Sequence, residues 1–213
     1  MFVYLKPEHI ERIKEFNKRG FVVIPTAAKK PEVSGWQKLT ESVPFNNSAW
    51  LYATGFGFVA GKASGFVVVD IDKPDMDWAA KMMKHHNLKP TTTVLTPSGG
   101  LHFYYKYDGN QLKQTQNLQK FAIDIRNDKG YIMSPYSPYD TKKEEKMKFN
   151  GIPYMFAKDA DGVELNFDKM AELDQFWLDF QNRGMDRETF EFRPAKAKAK
   201  AKAKRTRQSA CAF

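Results

Sequence analysis

The chain has 213 residues, of which 42% are hydrophobic and 14% aromatic, so it can bury a sizeable core and is not disordered as a whole. No stretch approaches the ~18 apolar residues that a membrane span needs, and the N-terminus lacks the pattern of a signal peptide. The single cysteine, Cys211, excludes an internal disulfide and a cysteine-based zinc site. We therefore expect an intracellular protein without zinc, in the cytoplasm or the nucleus.

The net charge of +9 is concentrated near the C-terminus. Residues 195–207 contain seven basic residues and no acidic one, and subtracting these seven from +9 leaves +2 for the rest. Alternating Lys and Ala cannot bury a core, which predicts a disordered tail over 193–213 and a catalytic domain over 1–192. Such a tail binds nucleic acid through its phosphates, directs nuclear localisation, or merely keeps the chain soluble. The predicted nucleic-acid contacts are Lys196, Lys198, Lys200, Lys202, Lys204, Arg205 and Arg207.

Hydrophobic spacing and turn residues predict a mixed α and β order along the first part of the chain. The predicted elements are a helix over 7–18, a strand over 21–24 that Pro25 closes, a short helix over 47–52 and a strand over 55–61. A polar loop with two lysines follows Pro25, and these lysines in isolation are ordinary solvated side chains.

The most informative stretch is residues 65–72, Gly-Phe-Val-Val-Val-Asp-Ile-Asp, which is typical of a buried strand. Because side chains alternate along a strand, Asp70 and Asp72 are predicted to share one face near its end. Two carboxylates one pleat apart repel each other unless a cation lies between them, and a divalent ion such as Mg²⁺ suits that place. A strand that simply ends in solvent with two acids is the alternative.

Hydrophobic spacing and turn residues also predict the elements that follow this strand. The pattern predicts a helix over 75–88, strands over 91–96, 101–107, 121–126, 131–134 and 152–156, and a last helix capped by Asn166 or Asp168. Residues 121–126 and 131–134 are predicted to form a hairpin. The tight loop Pro97-Ser98-Gly99-Gly100 precedes His102, and its glycines allow the backbone to approach a ligand.

Three of the predicted strands carry an apolar face and a face with reactive groups. The reactive groups are Asp70 with Asp72, His102, and Asp124 with Arg126. A sheet covered by helices on one face and open on the other would gather them in one cleft. Three carboxylates beside a histidine and an arginine are typical of two-metal phosphoryl or nucleotidyl transfer with Mg²⁺ or Mn²⁺. Arg126 suits a bidentate grip on triphosphate oxygens.

Three segments in this order resemble the motifs of the archaeo-eukaryotic primase superfamily. They are VVVDIDKP at 67–74, TPSGGLHFYY at 96–105 and AIDIRNDKGYIMSPYSPY at 122–139. The nearest likeness is to the bifunctional primase-polymerase (prim-pol) N-terminal domain of plasmid and viral replication proteins. Residues 20–36 and 55–65 also match that family's N-terminal pattern, so the resemblance covers roughly residues 8–140.

The resemblance implies roles for particular residues. Asp70, Asp72 and Asp124 would be the metal-binding catalytic carboxylates, and His102 the nucleotide contact of the second motif. The remaining nucleotide-binding candidates are Gly100 in the small position of that motif, Ser98, Lys30 in the basic N-terminal stretch, and Arg126. The implied fold is α+β: an RRM-like antiparallel sheet with helices on one face, joined to an N-terminal α/β unit, with the catalytic cleft between them.

The predicted function is a DNA primase/polymerase of DNA replication that uses nucleoside triphosphates and a single-stranded DNA template. The sequence has no Gly-x-x-x-x-Gly-Lys-Ser/Thr loop, so a separate replicative helicase is the expected partner. One alternative is a non-catalytic single-stranded-DNA-binding protein that retains the fold. A metal-dependent nuclease or rolling-circle nickase is disfavoured, because no second histidine lies one residue away from His102.

Overall fold

The computed structural model describes residues 4–109 and 112–194, so the basic tail residues predicted to bind nucleic acid lie outside the described residues. The α-helices in these ranges are α1 (Pro7–Lys18), α2 (Met76–His85) and α3 (Gln175–Arg183). The strands are β1 (Val23–Ala27), β2 (Lys30–Pro31), β3 (Gly55–Val59), β4 (Phe66–Ile71), β5 (Thr92–Leu95), β6 (Leu101–Lys106), β7 (Ile123–Arg126), β8 (Tyr131–Met133), β9 (Met155–Phe156) and β10 (Ala171–Glu172). The predicted α+β class is therefore confirmed.

The first sheet is antiparallel, with the strand order β2-β1-β3-β8. The prediction that Pro25 ends β1 is wrong, because the strand continues to Ala27. The carbonyls of Val22 and Thr26 accept hydrogen bonds from residues of the β3 segment at 2.9 Å. Since successive residues alternate in direction, the nitrogen of Pro25 faces away from β3, and the β1–β3 ladder loses no bond there.

The second sheet has the order β7-β4-β6-β5-β9, all antiparallel, and β10 pairs in parallel with the end of β6. Its central strands follow the chain order β4, α2, β5, β6, β7. This arrangement, with the first strand in the middle and a helix after it, is the expected RRM-like sheet. Both faces of strand β4 are buried, each in a different hydrophobic core, which explains its nearly continuous hydrophobic run.

The two faces of the second sheet pack against different layers. Val67, Val69 and Ile71 lie in one core with α2 and α3, so both helices cover the same face as predicted. Phe66 and Val68 point to the opposite face and pack in a second core with the first sheet and α1. The expectation that this second face is open is therefore wrong for most of its length. Only the end of the sheet beyond Val68 borders a cleft.

Two predicted elements have different partners or bounds in the structure. Strand β8 pairs with β3 and not with β7, so the predicted hairpin is wrong and the turn after Arg126 carries the chain from one sheet to the other. Helix α3 begins at Gln175 behind the N-cap Asp174, whose carboxylate accepts a hydrogen bond from the Phe176 N–H. Asn166 caps a separate 3-10 turn instead, so the predicted start of this helix is wrong.

Phe66 joins the two sheets, and its removal tests their packing. Its ring is fully buried and lies 5.3 Å from Phe21, 5.7 Å from Phe58 and 5.1 Å from Tyr104 between ring centroids. We expect Phe66→Ala to lower the free energy of unfolding by about 3–5 kcal/mol, measured by urea denaturation. The matched control is Tyr52→Ala, because Tyr52 is 71% exposed, and we expect a change within about 0.5 kcal/mol. Equal effects of the two substitutions would contradict this packing.

Candidate active site

The site is centred on Asp70, near the end of the central strand β4. In the register of the sheet, Asp70 lies opposite Asp124 on β7 and opposite His102 on β6. Directly opposed residues on neighbouring strands point to the same face with their Cβ atoms about 5 Å apart. The three side chains therefore form a row across three strands, as the alternation along these strands predicts.

The first sheet supplies the opposite wall of this site. Residues Tyr131–Met133 of β8 and the Lys29 side chain line a cavity of about 110 Å³ together with Asp70, His102, Arg126 and Tyr154. The predicted cleft between the N-terminal unit and the RRM-like sheet is thus present. It exists because β8 belongs to the first sheet although β7, directly before it in the chain, belongs to the second.

Arg126 bridges two of the carboxylates in the row. Its Nη2 donates to Asp124 Oδ2 at 2.5 Å and lies 3.5 Å from Asp70 Oδ2. The other oxygen of Asp124 accepts a hydrogen bond from the Asn117 N–H at 2.8 Å. These charged side chains are only 15–19% exposed, so their mutual compensation is needed to keep them in this cleft. The Nε of Arg126 is buried without a hydrogen-bond partner among the described residues.

Burial dominates the protonation of Asp70. It raises the pKa of this carboxyl to about 7, with the guanidinium of Arg126 acting in the opposite direction and the charges of Asp72 and Asp124 adding to the rise. A carboxylate in this place is therefore poorly solvated and gains from any additional cation. The same surroundings make it a strong ligand for a hard cation, which would displace its proton.

His102 is neutral in this environment. Burial, followed by the nearby positive charges of Arg126 and Lys29, lowers the pKa of its imidazole to about 3. Its Nε2 lies 3.6 Å from Asp70 Oδ1, and its ring centroid lies 5.5 Å from that of Tyr154. The Nδ1 atom is buried without a hydrogen-bond partner among the described residues. A neutral histidine of this kind can donate one hydrogen bond to a ligand without adding a charge.

Asp72, Ser98 and Gly100 lie beside the row rather than in it. Asp72 is exposed just after β4 and borders a groove of about 520 Å³ together with Ser98 and Lys146. A Cβ on Gly100 would lie only 2.6 Å from the carbonyl oxygen of Ile71, so only glycine lets this loop pack so closely against the strand. The Gly100 N–H donates to Thr96 within the loop. Gly100 therefore contributes close packing and not a free amide.

The structure separates the two neighbouring lysines. Lys30 is exposed on β2 and lines a different pocket, whereas Lys29 lines the cavity of Asp70 and His102. The sequence pattern predicts Lys30 as a nucleotide contact and does not indicate Lys29, Tyr131 or Tyr154. The direction of each lysine depends on the tight turn at Ala28 and Lys29. Turns of this kind are normally recognised by Gly or Asn, and this one contains neither, so the sequence does not indicate which lysine points inward.

The donor set suits divalent cations. Asp70 and Asp124 face each other and Asp72 follows two residues after Asp70, which gives the carboxylate oxygens that Mg²⁺ and Mn²⁺ prefer. The Arg126 guanidinium already lies between two of them, so the position attracts positive charge. Within the described ranges, no group of three or more His, Cys, Asp or Glu side chains is arranged to enclose a metal ion. The residue types therefore fit a site for divalent cations, although Arg126 contacts two of the three carboxylates.

Comparison with known families identifies the family of the chain. The model of the N-terminal domain of bifunctional DNA primase/polymerases matches residues 14–175. The chain belongs to this family. The match to the prim-pol domain includes both sheets and every residue that lines the cleft. No curated protein matches the chain at a significant level. Among the described residues, every helix is too short or too polar to cross a membrane.

The protonation of Asp70 gives a testable pH dependence in metal-free protein. The folded state keeps its proton up to about pH 7, whereas an unfolded chain releases it near pH 4. Between these values the folded state binds more protons, so the free energy of unfolding falls as pH rises. We expect Asp70→Asn, which does not titrate, to gain stability over the wild type by at most about 1.4 kcal/mol per pH unit in this interval. Urea denaturation in EDTA at several pH values measures this difference.

His102 has the opposite effect on the free energy of unfolding, over a pH interval that overlaps that of Asp70. Its pKa is lowered to about 3, so the stability it contributes rises with pH up to about 6.5. Because both proteins contain His102, comparing them at each pH cancels this effect. A constant stability difference from about pH 4 to about pH 7 would show that Asp70 ionises normally.

Proposed function

We propose that the chain is a template-dependent nucleotidyltransferase that synthesises or extends primers on single-stranded DNA during replication. The observation that carries the proposal is the row of Asp124, Asp70 and His102, with Arg126 beside it, in the cleft of a prim-pol family member. Its substrates would be nucleoside triphosphates, and its reaction the transfer of a nucleotidyl group to a 3′-hydroxyl.

The three acidic residues would hold the metal ions of this reaction. Asp70 and Asp124 oppose each other in the row, and Asp72 faces the adjoining groove. When bound, a pair of Mg²⁺ or Mn²⁺ ions lowers the pKa of an attacking hydroxyl and neutralises the triphosphate and the leaving pyrophosphate. The low exposure of Asp70 and Asp124 keeps competing water away from their oxygens.

The remaining residues would bind and orient the triphosphate. Arg126 donates through Nη2 to Asp124, and its Nε has no hydrogen-bond partner among the described residues, so the guanidinium has donors to offer phosphate oxygens. The neutral His102 would donate a hydrogen bond to a phosphate oxygen without repelling a bound metal. Ser98 borders the adjoining groove, where its hydroxyl, 3.3 Å from Thr96 Oγ1, would reach the outer part of the substrate.

One observation favours a second candidate function. Without a metal, Arg126 pairs with Asp124 and burial keeps a proton on Asp70 up to about pH 7, as expected for a site that has no need of a metal. A non-catalytic single-stranded-DNA-binding protein with the prim-pol fold would show this arrangement. Such a protein would bind DNA and would not incorporate nucleotides at any divalent cation concentration.

Nucleotide incorporation on a single-stranded DNA template distinguishes these functions. We expect Asp70→Ala and Asp72→Ala each to reduce incorporation by at least about three orders of magnitude, because each removes a ligand of the metal ions. Reactions with and without a primer, and with Mg²⁺ or Mn²⁺, would identify priming and extension separately. The control is Asp77→Ala, which removes an exposed carboxylate from α2 outside the cleft and should leave the rate unchanged.

The possible outcomes have distinct meanings. Incorporation by Asp70→Ala at the wild-type rate would contradict the assigned carboxylate role. DNA binding by the wild type without any incorporation would establish the non-catalytic function instead. Products that form only with a primer would identify a polymerase that depends on another protein for initiation.

The basic tail is proposed to increase affinity for the template. Each neutralised phosphate of a single strand contributes about 0.7 to the dependence of log K on log salt concentration. Removing residues 195–213 removes seven positive charges, so we expect the salt dependence of DNA binding to fall by up to about 5. Fluorescence anisotropy across a salt series measures this change. Equal slopes for the full and shortened chains would show that the tail does not contact DNA.

Strand separation is proposed to come from a separate replicative helicase. The 213 residues contain no Walker-type phosphate-binding loop, and the cleft described above has no other ATP-hydrolysing motif. Unwinding of duplex DNA by the purified chain with ATP would contradict this proposal.

A further inference from the structure

Lys29 reaches the cleft from the first sheet, opposite the row of Asp124, Asp70 and His102. Its side chain is half-buried, lines the same cavity as Asp70, His102 and Arg126, and places Nζ 4.6 Å from the ring centroid of Tyr139. Among the described residues, it forms no ion pair with a carboxylate within 4.0 Å. A partly buried ammonium group without a carboxylate partner is costly to desolvate. Within the described part of the chain, the cleft therefore keeps a cation that rests on an aromatic ring and has no carboxylate partner.

The turn that presents Lys29 is unfavourable for its sequence. Ala27 pairs with Lys30, which leaves Ala28 and Lys29 as a two-residue hairpin loop with φ angles of 47° and 65°. Loops with two positive φ angles normally contain Asn or Gly, and both Ala and Lys adopt this backbone region at a cost. Such a conformation persists only where surrounding contacts hold it.

Three contacts from other elements hold this turn. The Ala28 N–H donates to one carboxylate oxygen of Asp140 at 2.8 Å and to Thr54 Oγ1 at 3.2 Å, and the same Asp140 oxygen accepts a hydrogen bond from the Thr54 hydroxyl at 2.5 Å. The hydroxyl of Tyr131 donates to the Lys29 carbonyl at 2.9 Å. The Ala28 N–H and the Lys29 carbonyl are thus fixed from outside the hairpin. These contacts orient the turn so that Lys29, and not Lys30, points to the cavity of Asp70 and His102.

We propose that Lys29 binds phosphate oxygens of the incoming nucleoside triphosphate, and that Asp140 positions it by holding the turn. The proposal rests on the proposed function, since it assigns a further residue to the same site. An ammonium group is a compact charge with three donors and suits a phosphate oxygen. Lys29 and Arg126 would contact the triphosphate from the two opposite walls of the cleft, so that substrate binding joins the two sheets.

A purely electrostatic role within the protein is the competing explanation. The charge of Lys29 does lower the pKa of Asp70 and of His102. However, Asp70 already has the guanidinium of Arg126 at 3.5 Å, and Lys29 lies beyond ion-pair distance. If Lys29 only compensated Asp70, its removal would change the stability of the protein without a preference for triphosphate ligands.

Equilibrium binding tests the role of Lys29 without requiring catalysis. The probes are dATP, ATP and AMP, with wild type, Lys29→Ala, Lys29→Arg and Lys30→Ala as the proteins. We expect Lys29→Ala to weaken dATP and ATP binding about 10- to 100-fold, as for a lost charge-assisted hydrogen bond, with a much smaller effect on AMP. Lys29→Arg should restore most of the affinity. Lys30→Ala, which removes the adjacent exposed lysine, should change it less than about twofold.

The positioning role of Asp140 is tested by a double-mutant cycle. If Asp140 acts through Lys29, Asp140→Ala weakens triphosphate binding in the wild type but has no further effect in the Lys29→Ala background. Asp140→Asn keeps an acceptor oxygen for the Ala28 N–H and should retain most of the affinity. A merely structural Asp140 would reduce dATP and AMP binding alike and would act equally in both backgrounds.

Several results would overturn the proposal. Wild-type dATP affinity in a folded Lys29→Ala protein would do so, and so would equal losses for dATP and AMP. Failure of Lys29→Arg to bind dATP better than a folded Lys29→Ala would do so as well. If the alanine variant does not fold, a folded Lys29→Arg protein without most of the wild-type affinity for dATP would overturn the proposal instead. If the wild type binds dATP with the predicted dependence on Lys29 yet incorporates no nucleotide, the proposed function fails while the assignment of Lys29 stands.

Discussion

The charge balance around Asp70 is the constraint on which the rest of the site depends. A carboxylate that is only 15% exposed, between two hydrogen-bonded neighbours in a sheet, needs a compensating cation in the cleft. Arg126 provides it from the neighbouring strand and binds Asp124 at the same time. The metal-free site therefore contains an ion pair between Arg126 and Asp124, with Asp70 beside it in a place where burial favours the protonated carboxyl up to about pH 7. A cation that entered the cleft would compete with Arg126 for the same carboxylates.

The same strand that carries Asp70 also carries the contact between the two sheets. Phe66 and Val68 face the first sheet, and Asp70 follows on the same face two residues later. The hydrophobic contact ends where the polar row begins, so the cleft is the unfilled end of the interface between the sheets. Its shape depends on the packing of aromatic rings behind it. Mutations that loosen this packing would change the distance between the two walls before they unfold the protein.

Local alternation predicted the second sheet well, including the shared face of Asp70, His102, Asp124 and Arg126, because side-chain direction along a strand is set by the backbone. The choice of strand partner was not predictable in the same way. Residues 131–134 follow β7 after a short turn, which is typical of a hairpin, but their apolar side chains Ile132 and Met133 are buried in the core of the first sheet. Lys29 was missed for a related reason, because its direction depends on contacts with Asp140 and Tyr131, far away in sequence.

The dimensions of the cleft restrict how a nucleotide could occupy it. A cavity of about 110 Å³ is too small for a whole nucleoside triphosphate, since ligand pockets of this class are typically at least about 300 Å³. The connection between the walls is short and tight: the Gly130 N–H donates to the Asn127 carbonyl at 2.7 Å, and a Cβ on Gly130 would collide with Gln114. Widening by simple separation of the sheets is therefore costly at this end. On the proposed function, only the phosphates enter between the walls, and the sugar and base lie in the larger groove beside Asp72. This division places charge recognition in the buried row and leaves base recognition to the template.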